Sequence, residues 1–201
     1  MPHSLFARLA EKHPSPRAVQ RFLRRLRYNR EEDSETLRSA LGAARAREAH
    51  CLEATFVAAA VLELRGYPPL VMSLESQDDL DHVIYVFEGP RGWGSIARSR
   101  DEGLHGRAPV FKNLRALAQS YVDPYVDKSG RITGWGVAHL DDSKAPWRDS
   151  TRNVWKAERY LIDLKHQRLK MPESRYRRML ALYQASGARN TQHWCRSPHW
   201  W

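Results

Sequence analysis

Residues 50–98 decide the fold; they begin HCLEATFVAAAVLELRGYPPLVMSL and continue, from Asp81, with DHVIYVFEGPRGWGSIAR. The first part carries apolar residues at a spacing of four, which predicts a helix with a buried stripe. Glycine favours helix C-termini and proline cannot continue a helix, so GYPP at 66–69 ends it. The runs that follow are rich in β-branched and aromatic residues and predict strands at 70–74, 82–87 and 93–98. Their short connections predict an antiparallel meander packed on the helix.

Two residues of this stretch carry chemical interest: Cys51 at the helix start and His82 at the start of the second strand. A thiol reacts as the thiolate, which a helix N-terminus and an imidazolium both favour. His82 can then act as general base, and the backbone N–H of Cys51 can help bind an oxyanion. The alternatives are a small buried cysteine and a core histidine with satisfied hydrogen bonds. We favour the nucleophile and base, because the two residues occur together.

The remaining chain predicts further helices around this core, in one α+β domain spanning 1–201. The core covers about 45–140, the N-terminal helices lie within about 15–47, and a C-terminal helical region covers about 150–190. The individual elements predicted are a helix from Pro16 through Leu26, a helix from Ser34 to before His50, helix 114–121, strand 132–140, and helices 154–164 and 174–183.

Composition favours a soluble, intracellular protein. The mean hydropathy of −0.66 accompanies no apolar run long enough for a membrane span, and the N-terminus lacks the apolar stretch of a secretory signal. We therefore expect a cytoplasmic protein without membrane partners. In a reducing compartment the two cysteines, Cys51 and Cys195, are not expected to pair, which leaves Cys51 as a working thiol and Cys195 as incidental.

The formal charge of +10 raises the question of nucleic-acid binding. The excess arginine is spread along the chain, and no zinc finger or aromatic sheet signature accompanies it. We favour solvated basic helix faces over a nucleic-acid footprint, which stays as the weaker alternative. A protein or peptide substrate with acidic character would use the same charge.

No metal or cofactor is expected. His193, Cys195 and His199 lack the paired spacings of a structural zinc site. The chain has neither a glycine-rich phosphate loop nor a dinucleotide fingerprint, so nucleotide cofactors are not indicated.

Residues 49–98 resemble the transglutaminase-like branch of the cysteine-peptidase superfamily. The shared features are the helix-start cysteine, the RGYPP turn, the Asp81-His82 strand and the hairpin strand with Trp93. The segments GLHGR at 103–107 and SYVDPY at 120–125 resemble sequence segments of uncharacterised bacterial proteins assigned to that branch. The resemblance implies a cysteine-peptidase-like core with Cys51 as nucleophile and His82 as base. It also implies a thioester that passes its acyl group to an amine or to water.

The third member of the family's triad is where the chain departs from the pattern. In the family, an aspartate follows the strand-three tryptophan by four residues and orients the histidine, but this chain has Ala97 there. Asp101 is our candidate, because residues alternate along an extended strand and 101 shares the face of 97. Ser95, Ser99 or a backbone carbonyl are alternatives, and Asp101 can also be an ordinary loop carboxylate. The gap and the positive charge keep open a second hypothesis, a non-catalytic transglutaminase-like module that uses a basic groove to bind a protein partner or, less favoured, nucleic acid.

Three neighbours of the pair receive lesser roles. Trp93 is a candidate substrate-binding wall, or a core residue of the hairpin. The side chain of His50 is expected to point away from the thiol, because adjacent residues of a helix project in different directions. His50 is therefore expected to be a poorer base than His82. Glu53 is expected to complement the helix dipole rather than to take part in catalysis.

Overall fold

The structure, a computed structural model, describes residues 2–78 and 81–186. The tryptophan-rich tail lies outside these ranges, and with it Cys195 and the metal candidates His193 and His199. The described elements are α1 (Pro2–Lys12), α2 (Pro16–Leu23), α3 (Ala40–Ala46), α4 (Cys51–Glu63), β1 (Leu70–Ser76), β2 (His82–Gly89), β3 (Gly92–Ile96), β4 (Arg107–Phe111), α5 (Leu114–Tyr125), β5 (Ile132–His139), α6 (Trp155–Ile162), β6 (Gln167–Arg168) and α7 (Glu173–Ser186), with 3₁₀ turns at Glu102–Leu104 and Leu140–Ser143.

A six-stranded antiparallel sheet has the order β4-β3-β2-β1-β5-β6. The predicted meander is present as β1, β2 and β3, and β5 adds to the free edge of β1. Leu74 of β1 lies opposite His82, so the histidine sits at the end of the β1–β2 ladder. The predicted α+β class, with helices around an antiparallel sheet, is confirmed.

The sheet separates two apolar layers, because successive side chains of a strand point to opposite faces. Val71 and Tyr85 belong to the layer that contains α4, whereas Met72 and Ile84 belong to the layer that contains α5. Eleven of the 13 residues of α4 are buried, so this helix is covered on all sides. A helix that is buried all round needs apolar and small residues at nearly every position, which α4 has. Across the described ranges, no helix combines the length and the apolar composition needed to span a bilayer.

Helix α4 begins with a capping box whose N-cap is His50. The His50 side chain accepts from the backbone N–H of Leu52, and the Glu53 carboxylate accepts from the backbone N–H of His50. Such reciprocal bonds satisfy N–H groups that the first helical turn leaves without partners. The helix therefore begins at Cys51, as predicted.

The Glu53 carboxylate is fully buried and joins α4 to the segment before α3. Its two oxygens accept from the backbone N–H and the guanidinium of Arg38, and from the amide of Asn29. The role expected for Glu53, a helix-dipole partner, is thus only part of what this residue does. It also holds residues 29–38 against the start of the cysteine helix.

The helix predicted from Ser34 instead begins at Ala40, with Ser39 as N-cap. Residues before it are drawn into long-range bonds: the Leu37 N–H donates to the Asn153 side chain, and the Arg38 N–H donates to Glu53. These distant acceptors replace the local carbonyls of a helix, which sequence periodicity cannot reveal.

Two other differences involve proline. α5 continues through Pro124 to Tyr125, although a break before Pro124 was expected. Proline cannot donate to the carbonyl four residues earlier, and Arg107 donates to that Ser120 carbonyl instead, at 3.4 Å. Strand β4 was not predicted; it contains Pro109 and lies at the sheet edge, where proline is tolerated.

We predict that Glu53→Gln lowers the free energy of unfolding by about 3 kcal/mol, because it leaves the Arg38 guanidinium without its buried counter-charge. Urea unfolding monitored by tryptophan fluorescence measures this change. Glu48→Gln is the matched control, since Glu48 contacts the same Arg38 at 3.4 Å from a more exposed position. We expect the control to cost less than about 1 kcal/mol. Equal losses in the two variants would contradict a special role for Glu53.

Candidate active site

A cavity of about 410 Å³ opens at the N-terminal end of α4. Its walls come from seven parts of the chain: the segment 28–31, the start of α4, Ser73 of β1, the start of β2, the loop 99–104, Tyr125 of α5, and α6. Cys51 and His82 both line it, so the two residues singled out from the sequence are brought together at one accessible place. Cys51 is half-buried there.

The imidazoles of His50 and His82 line the same cavity as Cys51, and both act on the ionisation of its thiol. Burial alone would raise the pKa of the thiol, because a charged group loses solvation. The interaction of the thiolate with the two neighbouring imidazoles outweighs that effect and holds the pKa of Cys51 well below its ordinary value. The site therefore favours the thiolate, the form that attacks carbonyl carbon.

His82 is oriented by a backbone carbonyl. Its Nε2 lies 2.9 Å from the carbonyl oxygen of Leu104, and the ring is buried. Since a carbonyl only accepts, Nε2 carries the hydrogen and donates it. Nδ1 is then the ring nitrogen left for the sulfur of Cys51. Of the alternatives open at the sequence level, the backbone carbonyl is the one found at this position.

Asp101, our candidate for that role, lies elsewhere in the loop. Its carboxylate is 3.4 Å from Nε of Arg100, and its backbone N–H donates to Oγ of Ser99. The expectation assumed an extended strand through 101, but β3 ends at Ile96 and a 3₁₀ turn follows at Glu102–Leu104. Strand alternation no longer applies after Ile96, and the turn brings the Leu104 carbonyl to the histidine.

Position 97, where the resemblance would place an aspartate, has a different structural role. Ala97 is buried, and its backbone N–H and carbonyl both bond the side chain of Gln20, each at 2.9 Å. This pair ties the end of β3 to α2. Ser95, another alternative, hydrogen-bonds the Tyr121 hydroxyl at 2.7 Å.

Arg107 holds the loop that supplies the Leu104 carbonyl. Its guanidinium is fully buried and donates to the carbonyls of Gly103 and His105, the residues on either side of Leu104. It also lies 4.0 Å over the ring of Tyr121, whose hydroxyl donates to the same His105 carbonyl. The flanking carbonyls are thus fixed, and Leu104 is held between them. Arg107 belongs to the GLHGR segment at 103–107, but nothing in that segment predicts that its guanidinium holds the loop around Leu104.

Thr55 connects the cysteine helix to the histidine strand. Its hydroxyl lies 2.9 Å from the carbonyl of Cys51 and 3.3 Å from the carbonyl of Val83, the residue after His82. Both are within donating distance, and the side chain is buried. These two contacts fix the position of the first turn of α4 relative to β2.

His50 differs from the expectation that it points away from the thiol. Its backbone is extended, with φ −81° and ψ −175°, because it is the N-cap and not a helical residue. The helical-step argument therefore does not apply, and the ring folds over the helix start. Its Nε2 donates to the Thr36 carbonyl at 3.1 Å. Glu53 at the third helical position was the signal that marked His50 as N-cap.

The charge around His50 is negative. Burial alone would lower the pKa of its imidazole, but the hydrogen bond to Cys51 and the charges of Cys51, Glu53 and Glu31 raise it to about 9. Tyr28 lines the same cavity, and burial followed by the negative charge of Cys51 raises the pKa of its phenol. Tyr28 accordingly keeps its O–H and remains a hydrogen-bond donor in the cavity.

Trp93, the candidate substrate-binding residue, lies away from the sulfur. It pairs with Glu88, six residues along β2 from His82, which is about 20 Å at about 3.3 Å per residue. Its side chain packs against the α5 layer. The alternative given for it, a core residue of the hairpin, describes this position.

Within residues 2–78 and 81–186, no group of three or more His, Cys, Asp or Glu side chains is arranged to hold a metal ion. No protein-family model matches the chain, and a search of curated proteins finds no match to it.

We predict that iodoacetamide alkylates Cys51 at a nearly constant rate between about pH 7 and 8.5. The lowered pKa of Cys51 means that its thiolate is lost only as the pH falls through that low value, so the reactive form is already populated at pH 7. A free cysteine, with a pKa of about 8.5, gains more than about tenfold in thiolate over the same interval. Peptide mass spectrometry after timed alkylation measures the rate at Cys51. A rate that climbs like that of free cysteine would contradict the prediction.

Thr55→Val should slow alkylation of Cys51 and lower the free energy of unfolding by about 1 kcal/mol, the typical net worth of one hydrogen bond. Valine keeps the shape of threonine but removes the bridge to the Val83 carbonyl. Thr55→Ser is the control, because it keeps the hydroxyl, and it should alkylate faster than the valine variant. The idea is wrong if valine and serine variants alkylate at the same rate.

Proposed function

We propose that this chain is a thiol enzyme with a transglutaminase-like, cysteine-peptidase-type core, and that it performs acyl transfer or amide hydrolysis on a protein or peptide. The observation that carries the proposal is the Cys51 thiol at the start of a buried helix, in one cavity with the His82 imidazole, whose Nε2 is fixed by a backbone carbonyl. A nucleophile, a base and an orienting group for the base are the parts that such catalysis needs.

The chemistry runs in two halves. The thiolate of Cys51 attacks the carbonyl carbon of an amide, a C–S bond forms, and the carbonyl π electrons move to oxygen. When the intermediate collapses, the C–N bond breaks and the His82 imidazolium gives its proton to the leaving amine. Water or a second amine then loses a proton to His82 and attacks the thioester. The C–S bond breaks, and the electron pair returns to sulfur as thiolate.

Hydrogen-bond donors for the oxyanion are available near the sulfur. The backbone N–H of Cys51 is at the first turn of α4, where N–H groups lack helical acceptors. The Tyr28 O–H lines the same cavity. A working thiol also fits a reducing compartment, and we propose the cytoplasm as its location.

The rival hypothesis, a non-catalytic binding module, rested on Ala97 and on the positive charge of the chain. It predicts a sulfur out of reach of the His82 ring. The shared cavity of Cys51 and His82, the lowered pKa of the Cys51 thiol and the Leu104 carbonyl beside His82 support the enzyme instead.

The test is acylation by p-nitrophenyl acetate at pH 7. Wild-type protein should release p-nitrophenolate in a burst and carry one acetyl group on the Cys51 peptide, whereas Cys51→Ala should show neither. His82→Asn should form the acetyl-enzyme at least about tenfold more slowly, as expected for loss of a general base. Free glutathione serves as the reference thiol. The proposal fails if wild-type Cys51 is acetylated and alkylated no faster than glutathione.

A further inference from the structure

A serine and a histidine form a second polar pair at the Cys51 cavity. Ser73 of β1 lines this cavity together with Cys51 and His82, and Nε2 of His166 lies 3.0 Å from the Ser73 hydroxyl oxygen. Ser73 is buried, in a strand that is otherwise mostly apolar. The chemistry proposed for Cys51 and His82 uses neither residue, so the Ser73–His166 pair needs a separate explanation.

Two glycines of β5 make room for this pair. Positions 134 and 136 face the same side of the sheet, because side chains alternate along a strand, and Gly136 lies directly opposite Ser73. A Cβ atom at Gly136 would lie 2.7 Å from Cδ2 of Leu164 and 3.4 Å from Cδ2 of His166. A Cβ atom at Gly134 would lie 3.1 Å from Cβ of His166. The missing side chains thus leave the space in which the His166 ring crosses β5 and reaches Ser73.

His166 lies behind Ser73 and is open to solvent. It does not line the cavity itself, and it is half-buried. No residue in the described ranges bonds its Nδ1 atom. The Glu75 carboxylate is close to His166, since Oε2 of Glu75 lies only 2.6 Å from the point where a Cβ of Gly134 would be. The charged residues nearest in sequence are exposed: Lys165 and Arg168. A positive charge on the His166 ring would therefore have a carboxylate nearby and access to solvent.

Transfer of an acyl group to an amine needs one more proton acceptor than hydrolysis does. A lysine-like amine has a pKa of about 10.4, so it reaches the site at pH 7 as an ammonium ion. An ammonium ion has no lone pair, so it must lose one proton before it attacks the thioester and a second one during the attack. Water loses only one proton in the attack. His82 accepts the proton that is released during the attack, and the first proton of the ammonium ion therefore needs a different acceptor.

We propose that Ser73 is a further catalytic residue, and that His166, acting through it, is the acceptor of this first proton. The inference rests on the proposed thiol chemistry and adds a proton path for its acyl-transfer branch. The path runs through Ser73 because the hydroxyl lines the cavity, whereas His166 has no contact with it except through that hydroxyl.

The steps balance as follows. A proton of the ammonium ion moves to the Ser73 oxygen while the Ser73 hydroxyl proton moves to Nε2 of His166. The electron pair of the broken N–H bond stays on nitrogen as the lone pair of the amine. His166 then loses a proton to solvent and becomes neutral again. The amine attacks the thioester carbon, a C–N bond forms, and His82 takes the second proton. The C–S bond breaks, and its electron pair stays on the sulfur of Cys51.

A purely structural pair would only satisfy the buried hydroxyl of Ser73. A glutamine at position 166 can serve that purpose too, because its amide forms hydrogen bonds with a hydroxyl. The same amide does not take up a proton at neutral pH. The variant His166→Gln therefore keeps the structural role and removes the proton acceptor.

The experiment measures how the isolated acetyl-enzyme, formed with p-nitrophenyl acetate, divides its acetyl group between water and an added amine at pH 7. With Nα-acetyl-lysine amide as the amine, the ratio of transfer to hydrolysis should fall at least about tenfold in His166→Gln and in Ser73→Ala. With methoxyamine, which is already unprotonated at pH 7, the ratio should stay within about twofold of wild type. His139→Gln is the matched control, because His139 is a partly exposed histidine of β5 that does not line the cavity, and both of its ratios should equal those of wild type.

The ratio counts only molecules that carry an acetyl group, so a smaller folded fraction in a variant does not change it. Equal lysine ratios in wild type and in both variants would overturn the proposal. An equal loss with methoxyamine would do the same, because that amine needs no first deprotonation. Two outcomes need only the wild-type chain. An acetyl-enzyme that yields acetate alone disproves the proton path and leaves the thiol chemistry in place, whereas a Cys51 that is acetylated no faster than glutathione disproves the proposed function itself.

Discussion

The buried carboxylate of Glu53 is the constraint on which the site depends. A charge without solvent must be compensated by nearby donors, and these are the backbone N–H of His50, the Arg38 guanidinium and the Asn29 amide. Gathering them wraps residues 29–38 around the start of α4. The same wrapping brings the Thr36 carbonyl to Nε2 of His50. The Glu53 carboxylate thus caps the start of α4 and holds residues 29–38 in the cavity wall. Through that segment it also orients the His50 ring.

The second anchor works without a carboxylate. A backbone carbonyl accepts from an imidazole as an aspartate would and fixes the tautomer of His82, but it carries no charge and cannot titrate. The position of the Leu104 carbonyl also depends on the order of the loop that contains it. Arg107 meets that need by bonding the carbonyls on both sides of Leu104 while its own charge lies over the Tyr121 ring. An alanine at position 97 is thereby compatible with an ordered His82.

The sequence allows prediction of those parts that local periodicity and caps determine: α4, the strands β1 to β3, and the placement of Cys51 and His82 at neighbouring element starts. The sequence does not reveal the group that orients His82. Every residue has a backbone carbonyl, and no sequence feature shows which of them will lie beside the ring. The extended segment before α3 was hidden because its N–H groups bond Glu53 and Asn153, far away in the chain. The orientation of the His50 ring was predicted incorrectly because His50 was treated as a helical residue. Glu53, three positions later, indicates instead that His50 is the N-cap.

The two histidines make thiol activation a property of the assembled fold. Thr36 and Leu104 lie 68 residues apart in the chain, on opposite sides of the cysteine in sequence, and each supplies one carbonyl to one ring. If either segment leaves its place, one imidazole loses its anchor and no longer offsets the cost of ionising the half-buried thiol. An unfolded or partly folded chain then carries an ordinary thiol. The thiolate is thus restricted to the state in which Glu53 and Arg107 are both buried with their partners.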